Sequence, residues 1–147
     1  MIVKDVMTLS PICFKPVSRL DEVAKLMLDH GCGVIPVCKG TKVVGIVTDR
    51  DITCRAVAKG SIPSLVPVSE VMTRPVYTIR QDEDVQSAIE LLEAKQVRRL
   101  PVVDDDDNVV GIIAPSDLAP TFASTNVADF LLAVSYWNHK TVTPPAS

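Results

Sequence analysis

The chain of 147 residues has few aromatic side chains and no excess of positive charge. Phe, Trp and Tyr make up only 4% of the residues, although 47% are hydrophobic, so the core must consist mainly of Val, Ile, Leu and Ala. The formal net charge is −3, and Lys and Arg form no basic stripe. Nucleic-acid-binding domains carry such a stripe, so we expect no nucleic-acid partner.

Long apolar runs are also missing. The stretch from Met1 to Asp5 lacks the apolar centre of a signal peptide. No run approaches the roughly 20 apolar residues that a membrane-spanning helix needs. The sequence therefore predicts a soluble cytoplasmic protein that has no membrane partner.

The residue patterns of enzymes and metal sites are absent as well. His30 and His139 are far apart, the four cysteines have no metal-ligand spacing, and no Gly-rich phosphate loop occurs. No Cys-His-Asp cluster suggests a metal site or a catalytic nucleophile. We predict that the protein is not an enzyme, needs no cofactor and holds no metal.

Two of the cysteines leave an alternative open. Cys13 and Cys38 lie in predicted strands of the same half, and neighbouring strands can bring two Cα atoms within disulfide range. A disulfide closing a loop of that length would contribute about 3 kcal/mol in the loop-entropy model. A reducing cytoplasm favours free thiols instead.

The most informative feature is an internal repeat. Three landmarks recur in the same order, and the shift grows from 65 to 66 residues because the second hairpin turn is one residue longer. The matched stretches are 4–8 with 69–73, 34–37 with 99–102, and 45–52 with 111–118. Such periodicity indicates two copies of one structural unit.

Each copy has the pattern strand, helix, strand, strand, helix. The predicted strands are 12–14, 34–38 and 43–47 in the first copy, and 76–79, 100–103 and 109–113 in the second. In the first copy Ser18 should cap a helix that ends at Gly31, and Ile52, Ala56 and Val57 should line a second helix ending near Gly60. In the second copy Val85, Ile89 and Leu92 mark the first helix. The acidic stretch 104–108 is predicted as a solvated hairpin turn rather than a cation site.

These patterns predict a mixed α/β (α+β) fold of two β-α-β-β-α repeats. The first repeat spans residues 1–60, a proline-containing linker spans 61–67, and the second repeat spans 68–122. Pro120 should lie in the first turn of the last repeat helix. Residues 123–147 should form a C-terminal helix, capped by Asn126 with Asp129, and a frayed tail. The apolar stripe of that helix contains Val127, Phe130, Leu131, Val134 and Trp137, and we expect it in the core or at a subunit contact.

The doubled set of marks resembles a tandem pair of CBS domains, also called a Bateman module. Each repeat begins with Val-Met-Thr, has a Pro-Val strand, and continues with Val-Gly-Ile followed by an Asp. The resemblance covers roughly residues 1–120. It implies a pseudo-twofold axis relating the repeats within one compact domain, and two clefts that bind adenosine compounds such as AMP or ATP.

The resemblance also implies a set of ligand-binding residues. Thr48 and Asp51 match the family's Thr/Ser-x-x-Asp motif for ribose, and a carboxylate can accept hydrogen bonds from both ribose hydroxyls. Arg98 and Arg99 are expected to face Asp51 across the repeats and to bind phosphate. The purine should lie against Met72, Val76 and Tyr77.

The second cleft is expected to be weaker. Asp117 keeps the carboxylate, but Ala114 replaces the threonine, and Gly33 and Val34 replace the arginine pair. For Thr48 and Asp51, an alternative is a capping box at a helix start without any ligand.

The sequence therefore leaves two function classes. The first is a regulatory module that senses an adenine nucleotide and modulates a partner protein or a dimer contact. The second is a ligand-free, stress-associated interaction or scaffold protein with decayed clefts. In either case the apolar helix faces predict a homodimer. The protein partner and the identity of the adenosine ligand stay open.

Overall fold

The computed structural model describes residues 1–9, 12–121 and 128–132. The first half contains β1 (Thr8–Leu9), α1 (Leu20–His30), β2 (Val34–Lys39), β3 (Lys42–Thr48) and α2 (Asp49–Arg55). The second half contains β4 (Ile79–Arg80), α3 (Val85–Lys95), β5 (Leu100–Val103), β6 (Val109–Ile113) and α4 (Pro115–Leu118). Short 3₁₀ turns cover Val3–Asp5, Val57–Lys59, Pro63–Leu65, Val68–Glu70 and Ala119–Thr121. The predicted mixed fold of two repeats is confirmed.

The two hairpins form as predicted and correspond strand by strand. Strand β2 pairs antiparallel with β3, and β5 pairs antiparallel with β6. Each hairpin has a register shift at the same position, after Val37 in the first and after Val102 in the second. Gly40, with φ of 62°, makes the tight turn of the first hairpin.

In the acidic turn of the second hairpin, the Asp104 carboxylate accepts bonds from the N–H groups of Asp106 and Asn108, both at 2.9 Å. This carboxylate is therefore used to build the turn.

The opening segment of each repeat packs into the core of the other repeat. Val3 is fully buried among second-repeat residues such as Leu92 and Ile113, whereas Val68 and Val71 are buried among first-repeat residues. The segments also add a strand edge to the other repeat: Thr8 pairs with Ile112 in β6, and Thr73 pairs with Ile46 in β3. These exchanged contacts hold the two repeats in one packed unit.

Glycine permits the close approach of the exchanged segments. A Cβ added to Gly45 would lie 2.3 Å from Met72 Sδ. A Cβ added to Gly111 would lie 2.6 Å from Met7 Sδ and 2.9 Å from the Thr8 carbonyl oxygen. The glycine of each Val-Gly-Ile stretch therefore receives the methionine of the other repeat's Val-Met-Thr stretch.

The first strand of each repeat is shorter than predicted. In the second repeat only Ile79–Arg80 forms a strand, parallel to β5, so Val76 and Tyr77 precede it. In the first repeat Phe14 alone makes the equivalent parallel bridge, to Val37. The apolar residues of these stretches therefore indicate packing, and they do not form a long strand.

Helix α1 begins one residue later than a Ser18 cap requires. Its N-cap is Arg19, whose side chain makes no capping bond and instead contacts Asp21 and Glu22 at 3.2 and 3.1 Å. The prediction of a Ser18 capping box is therefore wrong. The predicted end of this helix is confirmed, since Gly31 has a left-handed conformation with φ of 60°.

Two further details of the helices differ from the prediction. Ile52 and Ala56 are buried, but Val57 is 58% exposed because the chain leaves α2 for a 3₁₀ turn. Pro115, rather than Pro120, occupies the first turn of α4, and Pro120 lies in the following 3₁₀ turn. The predicted place of Val57 on the apolar face of the second helix is therefore wrong.

The linker packs against the first repeat. Residues Pro63–Leu65 form a 3₁₀ turn, and the Val66 carbonyl accepts a bond from the Leu20 N–H at 3.0 Å. The linker therefore contributes the backbone acceptor next to the start of α1.

One part of the C-terminal stripe lies in the core. Residues 128–132 are helical, and Phe130 is 2% exposed within the second-repeat core. Leu131 is 40% exposed. Asn126, Val127, Val134 and Trp137 lie outside the described residues, and so does the predicted cap formed by Asn126 with Asp129.

Candidate functional site

The predicted ribose-binding pair forms a reciprocal cap at the junction of β3 and α2. Thr48 Oγ1 accepts a hydrogen bond from the Asp51 N–H at 3.1 Å, and Asp51 Oδ2 accepts one from the Thr48 N–H at 3.0 Å. The junction is fixed because Thr48 is still paired with Val34 in the hairpin. Thr48 and Asp51 are thus brought together as a capping box.

A residue of the second repeat reaches the same carboxylate. The Thr73 hydroxyl lies 3.3 Å from both Asp51 oxygens, and its backbone exchanges bonds of 2.7 and 3.1 Å with Ile46. Asp51 is only 8% exposed, and it is the one buried charged side chain among the described residues. The Asp51 carboxylate therefore lies where the two repeats meet. We call Thr48, Asp51 and Thr73, together with Arg55, the Asp51 junction.

Arg55 belongs to this junction, although sequence reasoning missed it. Its Nη1 donates to the carbonyl oxygens of Val71 and Met72 at 3.0 and 3.2 Å, and its Nη2 lies 3.8 Å from Asp51 Oδ1. The guanidinium thus ties the opening segment of the second repeat to α2. The spacing of four residues from Asp51 on a helix is the signal that could have identified it.

The corresponding place in the second repeat is simpler. Asp117 Oδ2 accepts a bond from the Ala114 N–H at 2.8 Å, and Asp117 Oδ1 accepts one from the Thr8 hydroxyl at 3.2 Å. Ala114 has no side-chain acceptor for the cap. The residue equivalent to Arg55 is Thr121, whose hydroxyl donates to the Leu118 carbonyl at 2.6 Å within its own turn. Asp117, Ala114, Thr8 and Thr121 form what we call the Asp117 junction.

Arg99 is half-buried and is subject to the charge of one acidic residue from each repeat. Burial lowers its pKa, and repulsion by Arg98 lowers it further, whereas the negative charges of Asp117 and Asp49 raise it. Its Nη1 donates to the Arg98 carbonyl at 2.7 Å, and the Arg98 side chain is exposed. Asp117 belongs to the same repeat as Arg99, and Asp49 belongs to the other repeat. That Arg98 and Arg99 face Asp51 stays a prediction.

Gly33 and Val34 do not supply a cation to either junction, as expected from their chemistry. The Asp49 N–H donates to the Gly33 carbonyl at 3.0 Å, and a Cβ at Gly33 would lie 2.9 Å from Asp49 Oδ2. The start of α2 therefore packs directly over Gly33.

The three residues predicted to contact the purine have different environments. Met72 is 7% exposed and fills the space over Gly45, and Val76 is partly buried. Tyr77 is 37% exposed, and Lys95 Nζ lies 5.1 Å from its ring centroid. Lys95 thus lies over one face of the ring as a cation–π contact.

A groove adjoins the Asp117 junction, because Thr121 of that junction is among its lining residues. It has a volume of about 720 Å³ and is lined by residues that include Met1, Asp84, Ile89 and Phe130. None of the seven predicted ligand residues lines it. We give more weight to the junctions, because no Lys or Arg occurs among the described residues that line the groove.

Two observations bear on other kinds of site. Across residues 1–9, 12–121 and 128–132, no helix is long and apolar enough to cross a membrane. In the same ranges, no three His, Cys, Asp or Glu side chains are grouped so that they could hold a metal ion.

Comparisons with known proteins identify relatives of both repeats. The family model described as the CBS domain matches residues 3–56 and again residues 68–123. The CBS domain-containing protein YhcV of Bacillus subtilis is 38% identical over 137 residues, which are 92% of this chain and 96% of that protein.

Two similar solved structures contain adenosine compounds. The CBS domain pair of protein MJ0100, in complex with 5-methylthioadenosine and S-adenosyl-L-methionine, has a TM-score of 0.73 and is 32% identical; the match covers 83% of this chain and 95% of that one. CBSX2 in complex with AMP has a TM-score of 0.68 and is 25% identical, and the match covers 82% and 94% of the two chains.

Proposed function

Because the chain belongs to the CBS-domain family as a tandem pair of domains, we propose that it is a regulatory module that binds an adenine nucleotide at the Asp51 junction. The observation that carries the proposal is the nearly buried Asp51 carboxylate at the meeting point of the two repeats. The adenosine compounds held by the MJ0100 pair and by CBSX2 support the same ligand class.

The Asp51 carboxylate has free acceptor capacity. An ionised carboxylate offers about four lone pairs, and the Thr48 N–H and the Thr73 hydroxyl together donate two hydrogens. The remaining lone pairs are available to the 2′- and 3′-hydroxyls of a ribose. We assign ribose binding to Asp51 and Thr48 for this reason.

The other groups of the nucleotide are assigned to residues near this junction. Arg99 and Arg98 are the cations proposed for the phosphate, and the effect of the Asp49 charge on the pKa of Arg99 supports this assignment. Met72, Val76 and Tyr77 are proposed for the purine. Asp117 competes with the ligand for the positive charge of Arg99. We therefore favour AMP over ATP, because a monophosphate needs less positive charge from the protein.

The module is proposed to act through contacts rather than catalysis. Ligand binding would change how the repeats pack through Thr73 and Arg55, and this change would be transmitted to a homodimer contact or to a partner protein. Leu28 on α1 is 81% exposed and Leu65 is 74% exposed, so apolar side chains remain available for such a contact. A cytoplasmic location and a non-enzymatic role are parts of this proposal.

A second candidate function is supported by the contacts within the Asp51 junction. Thr48, Thr73 and Arg55 all contact the Asp51 carboxylate. A scaffold protein that binds no nucleotide would use these bonds only to join its repeats.

Ligand-induced thermal stabilisation separates the two functions. At 100 times the dissociation constant, AMP or ATP should stabilise the fold by about 2.7 kcal/mol. For a chain of this size the melting temperature should rise by about 5–10 °C. Guanosine monophosphate, which has the same ribose and phosphate as AMP, serves as the control for recognition of the adenine base. If no adenosine compound at millimolar concentration shifts the melting temperature, the scaffold function is supported instead.

A further inference from the structure

Two cysteines of the first repeat lie against each other on neighbouring segments. The Phe14 N–H donates to the Pro36 carbonyl at 3.1 Å, and the Cys38 N–H donates to the Phe14 carbonyl at 2.8 Å. These bonds hold Cys13 beside the end of β2, and the two thiols share a side-chain hydrogen bond. All four cysteines are free in this structure.

The two thiols differ in accessibility and in acidity. Cys38 is 1% exposed, whereas Cys13 is partly exposed. The hydrogen bond from Cys38 lowers the pKa of Cys13, although burial acts in the opposite direction. The same hydrogen bond, together with burial and the charge of Cys13, raises the pKa of Cys38. The accessible sulfur is therefore the one that ionises first, and the buried sulfur keeps its proton.

We propose that Cys13 and Cys38 form a redox-sensitive dithiol, which hydrogen peroxide converts into an intrachain disulfide. The Cys13 thiolate attacks one peroxide oxygen, the O–O bond breaks, and Cys13 becomes a sulfenic acid with release of hydroxide. The Cys38 sulfur then attacks the sulfenic sulfur; its proton and the departing hydroxyl leave as water. Two thiols are oxidised by two electrons, and one peroxide is reduced to two waters.

The disulfide would act on the connection between the repeats. The Thr8 hydroxyl binds Asp117, and the Ser18 carbonyl accepts a bond from the Val68 N–H at 2.7 Å. Cys13 lies between these two contacts with the second repeat. Joining Cys13 to β2 restrains this connection, so oxidation should slow the hydrogen exchange of the Phe14 and Cys38 amides. This inference does not depend on nucleotide binding.

Peroxide titration of the full chain tests the proposal. The protein is treated with one to a few equivalents of hydrogen peroxide, quenched, alkylated without reduction, and mapped by mass spectrometry. The expected product is a peptide pair joined through Cys13 and Cys38, with Cys32 and Cys54 alkylated. The oxidised chain should also melt about 5–10 °C higher than the reduced chain.

Single substitutions test the order of the steps. In Cys38→Ser, Cys13 should be captured as a sulfenic acid by dimedone, because the resolving thiol is missing. In Cys13→Ser, Cys38 should stay reduced, because it is buried. Cys54→Ser removes an exposed cysteine and should leave the reaction unchanged.

Three outcomes would overturn the proposal. The first is alkylation of all four wild-type cysteines after peroxide treatment. The second is a disulfide that involves Cys54 as often as Cys13. The third is oxidation of Cys38 in Cys13→Ser at the wild-type rate. The wild-type and Cys54→Ser measurements remain decisive if a serine at buried position 38 impairs folding.

Discussion

The Asp51 junction and the Asp117 junction share two contacts and differ in two others. Each carboxylate accepts a bond from the backbone N–H three residues before it. In both, a carboxylate accepts a hydroxyl hydrogen bond from the opening segment of the other repeat, Thr73 in one case and Thr8 in the other. The first junction adds the Thr48 cap and the Arg55 bonds, and the second has neither. The hydroxyl contact is present even in the Asp117 junction, which lacks the other groups proposed for ligand binding. We therefore attribute this contact to joining the repeats. The added groups are where a ligand-binding role should be sought.

The largest expected effect concerns the glycine of each Val-Gly-Ile stretch, where the opening segment of the other repeat packs closely. In Gly111→Ala the new methyl group meets the Thr8 backbone oxygen at 2.9 Å, so β1 must move away from β6. We expect the free energy of unfolding to fall by about 3 kcal/mol.

The matched variant is Gly45→Ala, in which the three atoms nearest to the new methyl group all belong to the Met72 side chain. A flexible thioether can shift, so the expected loss is about 1–2 kcal/mol. Urea unfolding of both variants measures the difference. Equal losses would mean that the backbone contact at Gly111 does not restrain the exchanged segment.

The second prediction compares the two carboxylates in ligand binding. Asp51→Ala removes the proposed ribose acceptor and should weaken AMP binding by about 2 kcal/mol, close to 30-fold. Asp117→Ala should leave the affinity within about twofold, since it lies in the junction that lacks the cap. Titration calorimetry gives both values, and circular dichroism checks that each variant is folded. If the two variants lose affinity equally, the site is not confined to the Asp51 junction.

The third prediction concerns the positive charge of Arg99. Arg99→Ala should weaken AMP about 10-fold and adenosine hardly at all, because only the phosphate loses a partner. Arg98→Ala is the matched control: its side chain is exposed, so the expected loss is smaller. Competition binding with both ligands measures the ratio. A loss of adenosine affinity as large as that of AMP would place Arg99 near the nucleoside instead.

The smallest expected effect concerns Arg55. In Arg55→Gln the bonds to the Val71 and Met72 carbonyls are weakened, so the free energy of unfolding should fall by about 1 kcal/mol. Its ion pair with Asp51 adds little, since half of the side chain is exposed to solvent.

Thr121→Val is the matched change in the other junction. It removes a bond within one turn, and we expect a loss of about 0.5 kcal/mol. Thermal unfolding would contradict the assigned role of Arg55 if its variant were as stable as the wild type.

Several features were predictable because their causes are local in the sequence. The strands Leu100–Val103 and Val109–Ile113 have the predicted bounds, since an apolar run on each side of a turn is enough to indicate a hairpin. Gly31 ends α1 because glycine adopts the left-handed conformation without strain. The Thr48–Asp51 cap also follows from a spacing of three residues.

The exchange of opening segments was decided only by the tertiary structure. Thr73 contacts Asp51 and Ile46 across more than 20 residues, and nothing in a periodic apolar pattern states which core a segment enters. The same holds for Arg99, whose neighbours Asp49 and Asp117 come from different repeats. The repeat pattern determined the units of this protein, because hydrophobic spacing and turn chemistry act over a few residues. The exchange of the opening segments and the electrostatic environment of Arg99 depend on contacts that form only when both cores are packed.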